Sequence, residues 1–295
     1  MISAEGQRIA EGQKINVRGV PHYYEWVRQP NDRTAKPVIV FIHGWGGSAR
    51  YWYGTARSLS QHFDCLLYDL RGFGRSSLPV KEQNRSLSLL SYELEEYATD
   101  LAIFLDALGL DSIYLNAHSM GASVATLFLN RYAERVKRAI LNCSGIFEYD
   151  EKAFAAFYKF SRYVVKFRYN WFLKIPLADK VFMARFLHRS IPRKLSRAFL
   201  EDFLLADPEA ALETIYTCVN QKAVEFMPKE FARLAVPTLL ISGAKDRIIP
   251  PEMGRQAAAL NKKIEYVAIA NTGHFPMLED ARTYLAKIRE FLGVV

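Results

Sequence analysis

Five short apolar runs, separated by helical patterns, constrain this chain more than any other feature of its sequence. They are Val38–Ile42, Cys65–Tyr68, Ile113–Ala117, Ala139–Cys143 and Thr238–Ser242. Each is apolar at nearly every position, the mark of a strand covered on both faces. Helical periodicity fills the gaps at Trp52–Gln61, Tyr92–Leu108, Met120–Tyr132 and Glu252–Leu260. A sixth run, Ile264–Ile269, precedes a closing helix near Ala281–Leu292, and a hairpin is expected at Lys14–Val17 and His22–Arg28 around Arg18-Gly19-Val20-Pro21. Alternating strands and helices predict an α/β fold with a mostly parallel, doubly wound sheet and right-handed crossovers.

The alternation stops after Cys143 and resumes at Pro237. One crossover needs about 30 residues, so this stretch is too long for a simple connection. It reads as helices only, rich in aromatics and bases. We therefore expect a core from 1–145 and 235–295, with residues 146–234 inserted as a helical lid.

Charge follows the same division. Between Glu151 and Leu200 lie twelve Lys and Arg residues against two acids, a local charge of +10 in a chain whose net charge is +8. On an ideal helix Phe157, Phe160, Val164, Phe167 and Trp171 form one stripe, and Lys152, Lys159, Arg162 and Lys166 another. That pattern suits peripheral contact with an anionic membrane surface through the lid. The other reading is that the stripe packs lid on core and the bases are solvated. Interleaved aromatics and bases also occur in single-strand nucleic-acid binders, but helical spacing favours a lid over an apolar pocket, and no nucleic-acid partner is expected.

The amino terminus is polar and lacks a signal-peptide pattern, and no uncharged apolar run is long enough to span a bilayer. Cys65, Cys143 and Cys218 are scattered and outside any metal spacing, as are His22, His62 and His188. A reducing, cytoplasmic setting without metal or cofactor is expected, with contact to a membrane only from outside it. The sequence does not set the oligomeric state.

Four segments carry chemistry. Ala117-His118-Ser119-Met120-Gly121 runs from a strand into a helix, with small residues two before and two after Ser119. Such a turn exposes a hydroxyl at the carboxyl end of the sheet. Taken alone, the motif favours a nucleophile, with a plain N-cap serine as the other reading. His43-Gly44-Trp45-Gly46-Gly47-Ser48 follows the strand Val38–Ile42, and its glycines let backbone N–H groups face a ligand. Lysine of the Walker type and dinucleotide glycine spacing are both missing, which disfavours a phosphate loop. Asp246 and His274 each follow a later strand, in Gly243-Ala244-Lys245-Asp246 and Asn271-Thr272-Gly273-His274. Singly they are a turn acid and a helix-start residue; together, in the order Ser, Asp, His, they match a catalytic triad. Glu148 and Asp150 are the carboxylates to consider should Asp246 fail. His43 and His118 are expected to be structural neighbours of the turn and the serine.

With these motifs the chain resembles the α/β-hydrolase superfamily, in its lid-bearing serine esterase, lipase and C–C hydrolase branch. The likeness covers nearly the whole chain and weakens only in the lid, and Ala117 stands where glycine is more usual. Asp69-Leu70-Arg71-Gly72-Phe73-Gly74-Arg75-Ser76-Ser77 is similar to the family's pocket-wall segment after a strand. The resemblance implies an α/β-hydrolase fold, Ser119, Asp246 and His274 as catalytic triad, and the Trp45 and Met120 backbone N–H groups as oxyanion hole. It implies hydrolysis of a carboxylic ester of an apolar, lipid-like small molecule through an acyl-enzyme. C–C bond hydrolysis, thioester hydrolysis and acyl transfer use the same parts, and a non-catalytic hydrolase-fold binding protein is the reading from another class. Serine at position 119 excludes the carboxylate-nucleophile route of epoxide hydrolases and haloalkane dehalogenases.

Overall fold

The computed structural model describes residues 12–30, 34–78, 90–147 and 150–294, without the side chains of Ala153, Phe157 and Phe160. Eight strands are present: β1 (Gln13–Val17), β2 (Val20–Val27), β3 (Val38–Ile42), β4 (Asp64–Tyr68), β5 (Ile113–His118), β6 (Val136–Asn142), β7 (Thr238–Gly243) and β8 (Ile264–Ile269). They form one sheet in the order β1-β2-β4-β3-β5-β6-β7-β8. From β4 to β8 every pairing is parallel; β1 and β2 form the expected hairpin and join antiparallel to β4. Its turn residues Arg18 and Gly19 have φ of 52° and 87°. Positive φ at both central positions lets a two-residue turn match the twist of its strands.

The apolar runs are apolar at successive positions because each strand is covered on both faces. Val40, Ile42, Leu66, Leu115, Leu141 and Leu240 point to one side, where α2 (Leu94–Ala107) and α3 (Met120–Arg131) pack. Ile39, Phe41, Leu67, Ile140, Leu239 and Ile241 point to the other. There they meet α1 (Tyr53–Leu59) and the closing helix at Ala281–Leu292. At about 25 cal/mol per Å² of apolar surface removed from water, these two layers dominate the favourable side of folding.

Between β6 and β7 the chain forms only helices among the described residues: α4 (Glu151–Lys166), α5 (Ala178–Met183), α6 (Arg193–Leu205), α7 (Pro208–Val219) and α8 (Gln221–Ala232). After β7 come α9 (Pro251–Ala259), α10 (Pro276–Glu279) and α11 (Ala281–Leu292). The buried Asp202 carboxylate ties the inserted helices to the turn after β3. Ser48 Oγ donates to Asp202 Oδ2 at 2.7 Å, and the Arg50 guanidinium bonds Asp202 and, at 3.1 Å, Glu201. Desolvation raises the pKa of Asp202, opposed by its bonds to Arg50 and Ser48. A buried carboxylate of this kind is tolerated only while such partners are in place.

The five-residue apolar stripe expected on one helix is not formed as one. Helix α4 ends at Lys166, and Trp171 sits in a separate short turn, Asn170–Lys174. Arg168 explains the break: its guanidinium bonds the carbonyls of Val165 at 3.1 Å and Phe203 at 2.6 Å, which caps the helix end and anchors it to α6. Val164 is half-buried, Phe167 and Trp171 are exposed, and the side chains of Phe157 and Phe160 lie outside the described set.

Candidate active site at the carboxyl edge of the sheet

Strand β5 runs straight into α3, and Ser119 is the residue between them. Its backbone has φ 53° and ψ −123°. A serine rarely adopts this conformation, and non-glycine residues held in such regions cluster at functional sites. Close packing enforces the turn: a Cβ on Gly121 would sit 2.3 Å from the carbonyl oxygen of His43. Only glycine fits there. Ala117 is fully buried, and its carbonyl accepts from Asn142 Nδ2 at 2.7 Å. Ser119 N–H donates to Asn142 O at 2.8 Å, so β6 holds the turn from the side.

The structure brings together three residues far apart in sequence. Ser119 Oγ lies 3.0 Å from His274 Nε2, and His274 Nδ1 lies 2.7 Å from Asp246 Oδ2. Asp246 follows β7 and His274 follows β8, neighbours in the sheet. Asp246 and His274 are buried, whereas Ser119 is partly exposed. The other carboxylate oxygen, Asp246 Oδ1, accepts from the N–H groups of Ile248 at 2.8 Å and Ile249 at 3.1 Å. With Asp246 ionised, His274 Nδ1 carries a proton and Nε2 is free to accept one from the hydroxyl. Asp150 precedes α4, and Glu148 lies outside the described residues.

The turn after β3 lies against this serine. A Cβ on Gly44 would approach Ser119 Cβ to 3.0 Å and His118 Nδ1 to 2.8 Å, so the backbone beside Trp45 passes close to the Ser119 Cβ. Met120, the first residue of α3, has an N–H with no acceptor inside its helix. Two side chains that the sequence offers no reason to pair link this turn to the histidine loop. Gly44 N–H donates to Tyr51 Oη, which lies 3.0 Å from His118 Nδ1, and His118 Nε2 lies 2.7 Å from the His274 carbonyl. Burial, then the neighbouring His274, holds the His118 pKa well below its usual value. A neutral His118 completes that chain, donating from Nε2. His43 is a member of the turn as expected, with Nδ1 on Gly44 O at 2.8 Å and Nε2 on Leu70 N–H at 2.9 Å.

Glu279 is a further residue that motif reading does not single out. Its Oε1 accepts from Gly273 and Phe275, the two residues flanking His274, at 2.9 and 3.2 Å. Its Oε2 accepts from His188 and Arg189 of the helical insertion, both at 2.7 Å. His274 N–H in turn donates to Phe186 O at 2.7 Å. Glu279→Gln keeps the shape but turns one oxygen into an amide that faces two N–H groups. At about 1.5–3 kcal/mol per charge-assisted bond, this variant should lose about 3 kcal/mol of stability and about tenfold in turnover. Denaturant unfolding and steady-state kinetics measure both; unchanged values would mean the clamp holds nothing.

Donor atoms of His118, Cys143 and His274 lie within 4.8 Å of one another, the spacing of a metal cluster. All three are already engaged. Both His118 nitrogens are in the chain above, both His274 nitrogens serve Ser119 and Asp246, and burial and the adjacent Asp246 push the Cys143 thiol up. A metal ligand must be deprotonated and free to coordinate.

Aromatic rings pack along the turn after β3 and the histidine loop. Trp45 packs on Phe203 with ring centroids 5.5 Å apart, and Phe199 meets Phe275 at 4.8 Å. Phe186 lies 6.3 Å from the His274 ring. The Asp69 segment is structural, as its carboxylate accepts from Ala49 N–H at 2.7 Å and Arg75 N–H at 2.9 Å. Gly72, at φ 80°, passes so close to α7 that a Cβ would lie 2.4 Å from Ala210 Cβ. A cleft of about 1370 Å³ opens between this segment and the insertion, lined by Gly72, Gly74, Tyr158, Arg162, Tyr163 and Leu212 among others. Ser119, Asp246 and His274 do not line it.

Comparison with known proteins agrees with this architecture. Lipase 1 of Psychrobacter immobilis is 27% identical, over 84% of this chain and 74% of that protein. The thermophilic esterase of Thermogutta terrifontis superposes with a TM-score of 0.74 at 22% identity, covering 97% of this chain and 98% of that one. A meta-cleavage product hydrolase of Pseudomonas fluorescens IP01 superposes at 0.73 and 19% identity, covering 96% and 97%. At those identities the two structures show a shared fold. No helix among the described residues is long and apolar enough to cross a membrane. The family model for the alpha/beta hydrolase fold matches residues 37–281, and the chain belongs to that family.

Proposed function

We propose that this chain is a serine hydrolase that cleaves a carboxylic ester of an apolar, lipid-like substrate through an acyl-enzyme. The observation that carries this reading is the hydrogen-bonded line from Ser119 Oγ through His274 to Asp246, at 3.0 and 2.7 Å, ending on a serine with φ 53°. In this reading Ser119 Oγ attacks the ester carbonyl carbon while its proton passes to His274 Nε2. The carbonyl oxygen gains the negative charge and is met by the Trp45 and Met120 N–H groups. Removing one such donor typically costs about 10²–10³ in rate. The C–O bond to the alcohol then breaks, the alcohol leaves with the proton from Nε2, and water repeats the sequence on the acyl-enzyme.

Phe186, Phe199, Phe203 and Phe275 around the site support an apolar acyl group. Within residues 146–234, which would act as the lid, Phe186, Phe199 and Phe203 complete this apolar surround, and unpaired Cys65 and Cys143 fit a reducing compartment such as the cytoplasm. Substrates of this kind partition into lipid, which suits a position at a membrane surface.

A fluorophosphonate probe should label Ser119, and p-nitrophenyl esters should be turned over with kcat/KM rising as the acyl chain lengthens. Absence of both labelling and ester turnover in the folded protein sinks the proposal. Labelling with turnover only of thioesters or vinylogous diketones would keep the nucleophile and move the substrate class.

A further inference from the structure

The helical insertion carries a surface that the active site does not use. Tyr163, Phe167, Tyr169 and Trp171 are each between 46% and 53% exposed. Their rings follow one another in a ladder, with successive centroids 6.2, 6.3 and 6.2 Å apart. Beyond them Leu177 and Val181 are 51% and 76% exposed. Leu177 is held at φ 64°, a conformation that a leucine adopts only under constraint. Single exposed apolar residues need no explanation, but a contiguous patch marks an interaction surface.

Charge identifies the partner. Arg162, Lys166, Lys174, Lys180 and Arg185 are exposed along the same stretch. The one acid between Arg162 and Arg185 is Asp179, which is buried and lies 3.8 Å from Arg193. Lys166 Nζ sits 5.9 Å from the Phe167 ring, so this base lies beside the ladder. Aromatic rings with flanking cations and no exposed acid match the headgroup zone of an anionic bilayer, where rings sit at the boundary and cations meet phosphates.

We propose that this patch, from Tyr163 to Val181, docks the protein on an anionic phospholipid surface. The ladder enters the boundary between headgroups and acyl chains, and the five exposed bases bind the lipid phosphates around it. Tyr163 and Lys166 also line the cleft beside Gly72, which places its mouth next to the bilayer. Docking needs no intact triad and stands apart from the ester-hydrolase reading.

Flotation of the full chain with two vesicle types tests this, after nuclease treatment. Vesicles of phosphatidylcholine mixed with phosphatidylglycerol should bind at least about a hundredfold more tightly than phosphatidylcholine alone at low salt, since each engaged base adds about fivefold and three of the five suffice for that factor. Raising salt should erode that difference. Phe167→Ser with Trp171→Ser should weaken binding to anionic vesicles by more than about tenfold, with turnover of a short water-soluble ester unchanged. Ser119→Ala should float like wild type, so loss of the hydrolase reading and loss of this one are seen separately. Equal binding to both lipid types, or full binding by the double variant, overturns the proposal. So does dimerisation in sedimentation that the double variant abolishes, which would assign the patch to a second copy of the chain.

Discussion

Ser119→Ala is expected to reduce ester turnover by about 10⁶ while leaving the fold in place. Removing the nucleophile from such a triad leaves only binding and the oxyanion donors, which accounts for that size. Among the described residues the Ser119 hydroxyl bonds only His274 Nε2, at 3.0 Å, so its loss strands no buried donor there. The turn itself is kept by Ser119 N–H on Asn142 O and by the Gly121 contact with His43, neither of which involves the hydroxyl. Alanine tolerates φ 53° about as poorly as serine, so the strain is already present in the native fold. Thermal unfolding should therefore shift little while kcat collapses. Retention of more than about a hundredth of wild-type turnover, against that expected factor, would remove Ser119 from the nucleophile role.

Asp246→Asn is expected to cost about 10⁴ in turnover, and the structure says why the amide cannot adapt. Asp246 Oδ1 accepts two backbone N–H groups, from Ile248 and Ile249. An asparagine must place its carbonyl oxygen there, because an NH₂ facing two N–H donors would be repelled and left unsatisfied. Its NH₂ then points at His274 Nδ1, which must become the acceptor. The imidazole proton is driven to Nε2, the nitrogen that should take the Ser119 proton, and the hydroxyl loses its base. The imidazolium formed during reaction also loses its counter-charge. Single-turnover kinetics of the variant, with its pH profile, measure both effects. Activity within about tenfold of wild type would contradict the role assigned here to Asp246.

Much of this was legible in the sequence because the signals are local. Runs such as Val38–Ile42 and Thr238–Ser242 are apolar at nearly every position, which only two-sided burial explains, and the sheet places both in its interior. The hairpin at Arg18-Gly19 and the closing helix at Ala281–Leu292 are likewise short-range events of turn geometry and periodicity. The stretch from Phe157 to Trp171 was not readable in the same way. Helical spacing continues past Lys166 in the sequence, but Arg168 reaches across to α6 and ends the helix, a contact between residues far apart in the chain. The aromatic surface is therefore a ladder over a bent segment rather than a stripe on one helix.

The sequence by itself determined the order of the elements, the doubly wound parallel core, the interruption between Cys143 and Pro237, and the identity of Ser119, Asp246 and His274 as the residues to examine. Only the tertiary structure decided that their side chains meet, because strands β5, β7 and β8 are parallel in one sheet and deliver the loops after them to a single edge. It alone shows Glu279 accepting four backbone N–H groups, two beside His274 and two from the insertion. It alone links Gly44 through Tyr51 and His118 to the His274 carbonyl. The physical reason is common to all three. Periodicity reports which face of an element is buried, whereas a hydrogen bond between distant loops depends on sub-ångström placement that no local pattern encodes.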